Sequence, residues 1–302
     1  MRRPPANSVR PHSAWAPWFF LAPFLIVFAT FVAWPLVRSL VLSFEQTYGP
    51  RTTSFVGLLN FRFMLQDPLF WRALGNTTIF ALGSLFVQLP IAFGLALLLN
   101  RSGLRGRAWF RLVFFSPALV GLVFTAVMVA LAFEKRTGLV NIGVHALFAG
   151  WDPDFPWLEK HVMATLIISA LWLYAGFNMV YFLAALQNVT PELLEAAHID
   201  GAGPWQRFRH IILPEIRPVA SFVVLLAITG SFQLFELPFI IFSSSGNAAG
   251  PNNSALTIVM YLYQNGFLQG DLGYASAIGW VLAVMLMSAA LFQRWLARRE
   301  QY

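Results

Sequence analysis

The 302-residue sequence contains no cysteine, which excludes disulfides and thiolate metal sites. Lysine is nearly missing: apart from Lys135 and Lys160, every formal cation is arginine. Neither lysine closes a glycine-rich turn followed by Ser or Thr, so the loop that cradles nucleotide phosphates in common hydrolases is not present. The histidines, His12, His145, His161, His198 and His210, are scattered and form no His-x-x-x-His or His-Glu-x-x-His pair. No serine nucleophile motif stands out either. Charge is scarce, at 11% of residues, where an ordinary soluble domain carries about 25%. A soluble chain of this length could not cover its surface with so few charges, so lipid must solvate most of it.

What the chain has instead is apolar length, with 58% hydrophobic residues. Segments 18–37, 78–99, 110–131, 162–186, 219–242 and 277–295 are each long enough to cross a bilayer as a helix. This predicts an all-α membrane protein with six spans. Pro23, Pro35, Pro90, Pro117 and Pro238 fall inside or beside spans and read as tolerated kinks. The first run has the look of a signal peptide, but it reaches spanning length without a small-residue cleavage site, so an uncleaved span is expected.

An even number of spans places both termini on one side. Arginines at 2, 3, 10, 101, 105, 107, 111, 207, 209, 217, 294, 298 and 299 fall in mutually consistent segments. They outnumber the opposite set of Arg38, Arg51, Arg62, Arg72, Lys135, Arg136 and Lys160, which makes the first set cytoplasmic. The net charge of +7 is therefore read as topology and not as a nucleic-acid footprint. The expected divisions are a cytoplasmic tail at 1–16, a first span with an external loop at 17–75, and a core of five spans at 76–302. Segment 138–149 is expected to form a short helix on the outer surface.

The most informative stretch is the polar island at 195–214, inside a cytoplasmic loop at 190–217. Thr190 and Pro191 read as an N-cap and first helical position. Leu193, Leu194 and Ala197 recur at helical spacing, and Asp200-Gly201 breaks the helix. Gly203-Pro204 starts a second short helix, with Phe208, Ile211 and Ile212 on one side. Pro214 ends it, and Pro218 opens the next apolar run. Gly201 is expected to need positive φ or a close backbone approach. An interfacial helix pair between two spans is the plainer account.

The order of residues says more. Glu195-Ala196-Ala197, then Ile199-Asp200-Gly201-Ala202-Gly203, Phe208, Leu213-Pro214 and Pro218 resemble the EAA loop of ABC-importer permeases, in its sugar-type form. The external loop with Gly57, Asn60, Asp67-Pro68 and Trp71 is similar to that group, as are Gly250-Pro251 (an imperfect match) and Gly273-Tyr274-Ala275-Ser276. The resemblance implies a type I permease fold in a bacterial cytoplasmic membrane. It implies that Glu195, Ala196, Ala197, Asp200, Gly201, Gly203, Leu213 and Pro214 couple the chain to a separate ATPase. Its implied partners are two ATPase subunits that bind ATP and Mg, a second permease that is a related chain, and an extracytoplasmic solute-binding protein. No cofactor is expected in this chain.

Polar groups inside spans are costly in lipid and so suggest a pathway. Tyr174, Phe177, Asn178 and Tyr181 share a face of the fourth span at i, i+3, i+4 and i+7. Thr229, Phe232, Gln233 and Glu236 do so in the fifth, and Gln88 lies mid-depth in the second. Aromatic rings beside amides and hydroxyls suit a sugar, although interhelical packing explains any one of them. A permease for a polyol phosphate, amino acid or peptide fits the same features. A multi-span membrane enzyme would need converging acids, bases or metal ligands, and Glu236 is the one carboxylate in the spans. A simple pore has no need of the polar island.

Overall fold

The computed structural model describes residues 16–48, 52–101, 103–243 and 246–299. The arginines of the N-terminal tail lie outside the described residues. Helices dominate. Those able to cross a membrane are Trp18–Leu42, Pro68–Asn100, Val162–Gln187, Pro204–Ser243 and Leu272–Leu296, with Arg107–Val120 and Leu122–Ala132 forming a bent pair.

The sequence expectation of an unbroken third span is corrected here. The helix turns by 101° at Gly121, which takes a φ of +90°. Pro117 cannot donate to the carbonyl of Val113. The hydroxyl of Ser116 donates to that carbonyl instead, at 3.0 Å.

The fifth span is also broken. Its helix runs Leu213–Phe232, and a new one starts at Glu236–Ser243. Here Pro238 leaves the Leu234 carbonyl without its helical donor. The buried hydroxyl of Thr257 donates to it at 2.6 Å.

Three other prolines are accommodated without a break. Widened π turns at Ala29–Ala33, Ser84–Gln88 and Phe208–Ile212 each end two residues before a proline, at Pro35, Pro90 and Pro214. The ring of a proline crowds the carbonyl four residues back. That carbonyl falls within the wider turn in each case, so the helix continues. Pro214 therefore does not end the second loop helix, as its sequence suggested. That helix flows into the fifth span.

The second span starts ten residues earlier than its apolar run, because Asp67 caps it: the carboxylate accepts from Leu69 N–H at 2.9 Å, and Pro68 takes an early helical position.

The core lies in three clusters. Met179, Phe182, Leu89, Ile216 and Val223 fill the end nearest the polar loop. Leu166, Ala126, Leu237 and Phe242 fill a second cluster. Met64, Met260, Tyr274 and Ile278 fill the third, at the other end of Pro68–Asn100, called outer by the arginine expectation. The first span contributes little to any of them. Its outer half docks on the last span, where Trp280 Nε1 donates to Ser39 Oγ at 3.2 Å.

Outside the spans, a two-stranded antiparallel hairpin pairs Glu45–Tyr48 with Thr52–Phe55. The short helix expected at 138–149 forms at Leu139–Leu147. Asn141 anchors it, donating to the carbonyls of Lys135 and Phe155 and accepting from Trp157 Nε1.

Candidate functional site

The loop at 190–217 begins where the fourth span ends. Thr190 stands at the N-cap and Pro191 in the first turn of helix Pro191–Ile199, although the threonine hydroxyl makes no capping bond. At the other end Gly201 N–H donates to His198 O at 3.1 Å and Ala202 N–H to Ala197 O at 2.9 Å. This crossed pair is a Schellman closure, which needs a left-handed residue just past the helix. Gly201 supplies it with a φ of +81°. A Cβ built there meets nothing within 4 Å, so the requirement is conformational and not a close approach. Gly203 has ordinary extended geometry, and its N–H donates to Gln206 Oε1 at 2.8 Å as Pro204–Arg207 starts the next helix.

Packing fixes how this loop sits. Leu194, Ile211 and Ile212 face the inner core cluster. Phe208 lies against Phe93 of the second span, with ring centroids 6.1 Å apart. What remains outside is apolar: Ile199 is 86% and Trp205 68% exposed. Leu193 and Leu213 are also exposed. Glu195, Ala196, Asp200, Gly201 and Pro214 share this open side, with Ala197 and Gly203 half-buried. Between the two helices lies a concavity of about 380 Å³, lined by Ala197, Asp200, Gly201, Gln206, Arg207 and His210 among others. The Arg207 Nε is buried there without a hydrogen-bond partner. An exposed apolar patch beside unsatisfied polar groups is the chemistry of a docking surface.

The intramembrane face is less uniform than its spacing suggested. Tyr174 and Phe177 are exposed and Tyr181 half-buried on one side of the fourth span. Phe177 and Tyr181 meet edge to face at 5.1 Å. Asn178 does not join them. It is 8% exposed and turned into the protein.

In the fifth span the helix break removes the shared face. Phe232 packs on the outer core cluster, Thr229 is half-buried, and Gln233 and Glu236 are exposed. The two spans still meet on this side. The Tyr181 and Phe222 ring centroids lie 6.0 Å apart. Gln88 is buried. Sequence reasoning missed Phe115, which stacks on Phe177 at 6.4 Å, and Phe222. The wheel of one helix gives no sign of an aromatic delivered by another.

A bundle of broken and kinked apolar helices, with a polar loop exposed at one end, has the build of a transporter's transmembrane subunit. The chain matches the model of the binding-protein-dependent transport system inner membrane component family over residues 88–302, and it belongs to that family. It is thus a permease of an ATP-driven importer of the inner membrane, and not an enzyme. Such importers work with a solute-binding protein and ATPase subunits.

Among its relatives is the arabinooligosaccharides transport system permease protein AraP of Bacillus subtilis, 36% identical over 91% of this chain and 86% of that one. The lactose transport system permease protein LacF of Rhizobium radiobacter is 32% identical over 94% of both chains. A solved bacterial ABC transporter that imports the acidic polysaccharide alginate contains a chain that superposes with a TM-score of 0.80. That chain is 26% identical, with 94% of this chain and 96% of it covered.

Proposed function

We propose that this permease carries a sugar or oligosaccharide inward, and that the loop at 190–217 is the lever through which a separate ATPase drives it. The carrying observation is the loop itself: a Schellman-closed helix, held from inside by Leu194 and Phe208, presents Glu195, Ile199 and Trp205 outward. The naming of relatives for arabinooligosaccharides and lactose supports the cargo class.

A second, related permease chain covers the face bearing Tyr174, Phe177 and Tyr181, and the two chains form the pathway between them. Two ATPase subunits bind ATP and Mg and grip the two loops. A binding protein delivers solute from outside. Both termini and the loop face the cytoplasm, a reading that the arginine asymmetry supports. Closure of the ATPases draws the loops together and opens the pathway outward.

The test is reconstitution of this chain with its ATPase, the second permease and the binding protein in vesicles. Hydrolysis should rise when binding protein and an oligosaccharide are added together. A complex that assembles yet hydrolyses ATP at one rate with amino acids, phosphorylated polyols or sugars would overturn the cargo assignment. Topology is checked separately: a cysteine at Gln206 should be shielded from an impermeant thiol reagent in intact cells, while one at Asn252 should react.

A further inference from the structure

Glu236 is alone in its surroundings. Between the cytoplasmic Arg111, Arg217 and Arg294 and the outer Arg38 and Arg72, the spans hold no other lysine, arginine, aspartate or glutamate. Its side chain is exposed, and no cation pairs with it among the described residues. A bare carboxylate turned to lipid at that depth is costly, so its open side must face water or another chain. It sits with exposed Gly230 and Gln233 around the helix break.

The break explains how the charge is tolerated. Glu236 is the first residue of helix Glu236–Ser243, where the positive end of the helix dipole favours an anion. The Thr257 bond to Leu234 O holds that break in place. The other polar groups on this side of the two spans are neutral: exposed Tyr174 and Gln233, and half-buried Tyr181 and Thr229.

Resting on the pathway reading above, we propose that Glu236 is the specificity-determining charge of the route, admitting neutral saccharides and turning away acidic ones. Hydroxyls and amides pair with sugar hydroxyls whatever the sugar. An acidic sugar also brings a carboxylate, and this face has an anion to repel it and no arginine or lysine to hold it. Low-dielectric walls focus such a field, which changes local ion concentrations on the order of tenfold or more.

The lack of cysteine makes the test direct. A single cysteine replacing Gln233 is introduced into the assembled complex, and its modification is followed on this chain. The reagents are a cationic and an anionic methanethiosulfonate of similar size, with each rate normalised to a free thiol. The sulfonate of the second stands in for the carboxylate of an acidic sugar.

The expected result is a cation-to-anion rate ratio on the order of tenfold, collapsing toward unity when Glu236→Gln is added and inverting with Glu236→Arg. A ratio near unity with Glu236 present overturns the charge filter while leaving the pathway intact. Failure of both reagents to reach the cysteine during turnover overturns the pathway reading itself. Loss of complex assembly in Glu236→Gln, with transport selectivity unchanged in the remainder, makes the carboxylate an ion-pair partner of the second permease and also refutes the proposal.

Discussion

At the outer end of the molecule, Asp67 accepts from both Tyr261 and Tyr274 hydroxyls, the latter at 2.7 Å, as well as from Leu69 N–H. Asn60 bridges the carbonyls of Ser43 and Glu45, and Asn76 those of Asn253 and Leu256. Gly273 lets the Glu45 carbonyl approach to where a Cβ would stand 2.0 Å from it. At the inner end the pattern is reversed. Trp205 and Ile199 are exposed, Glu195 has no ion-pair partner among the described residues, and Arg207 Nε is unmet. One end ties most of its polar groups to each other, with Ser254 Oγ and Trp151 Nε1 as exceptions, which is what a scaffold does. The other leaves groups for a partner to answer. Buried polar groups cost free energy when unpaired, so the two ends should respond to mutation in different ways.

The largest stability effect is expected at Asp67. Asp67→Leu strands two phenols and an amide, at about 1–3 kcal/mol for each group left unsatisfied. The purified subunit should unfold at a clearly lower temperature, and Asp67→Asn should recover part of the loss. An unchanged melting temperature in Asp67→Leu would mean that the outer knot is not a scaffold.

The same knot should respond to alkali. Burial, and then donation to Asp67, push the Tyr261 phenol up from 10.0 to about 12. A raised folded value means the stabilisation is complete below about pH 10 and fades as the pH climbs toward 12. Melting temperatures measured across that window should fall, and Tyr261→Phe should flatten the part of the curve due to this residue.

These two ends were also unequally legible in the sequence. The inner loop could be read because its determinants are local: Pro191 opens a helix, Gly201 closes it, and an apolar stripe lies between. Even there, Pro214 misled, since the π turn that accommodates it has no residue signature of its own. The breaks at Gly121 and at residues 233–235 looked like tolerated kinks. What decides them is a hydroxyl that takes the orphaned carbonyl, and Thr257 lies 23 residues from Leu234. Asn178 shows the same limit. Helical spacing puts it beside Phe177, but neighbouring spans decide which side is covered. The outer knot was invisible as a unit, for Asp67 and Tyr274 are 207 positions apart.

A smaller effect is expected at the hinge of the inner loop. Gly201→Val must either adopt a left-handed backbone or give it up, at about 1–2 kcal/mol. Since a Cβ there meets open space, the cost should appear in the angle between the two loop helices and not in packing. Gly201→Asn, which tolerates that conformation, should behave like the parent. The comparison predicts insertion and melting close to normal for the valine variant, with weaker ATPase co-purification. If both variants couple normally, the Schellman turn is only a helix end.

The smallest change in stability should come from Glu195. Its side chain is exposed and makes no ion pair among the described residues, so Glu195→Gln removes nothing the isolated subunit uses. Substitutions of that kind usually stay within about 0.5 kcal/mol. If the inner end is built for a partner, the loss surfaces only when the partner is present. A carboxylate that meets a cation or backbone donor in a desolvated interface gains a charge-assisted bond, worth about 1.5–3 kcal/mol. Affinity for the ATPase should therefore fall roughly tenfold or more, while the melting temperature of the free subunit stays in place. Measuring both on the same preparation separates the two ends of the molecule. A Glu195→Gln chain that melts lower on its own would show that the inner loop, like the outer knot, is scaffold, and equal ATPase affinity would move the contact to the exposed apolar side chains of Ile199 and Trp205.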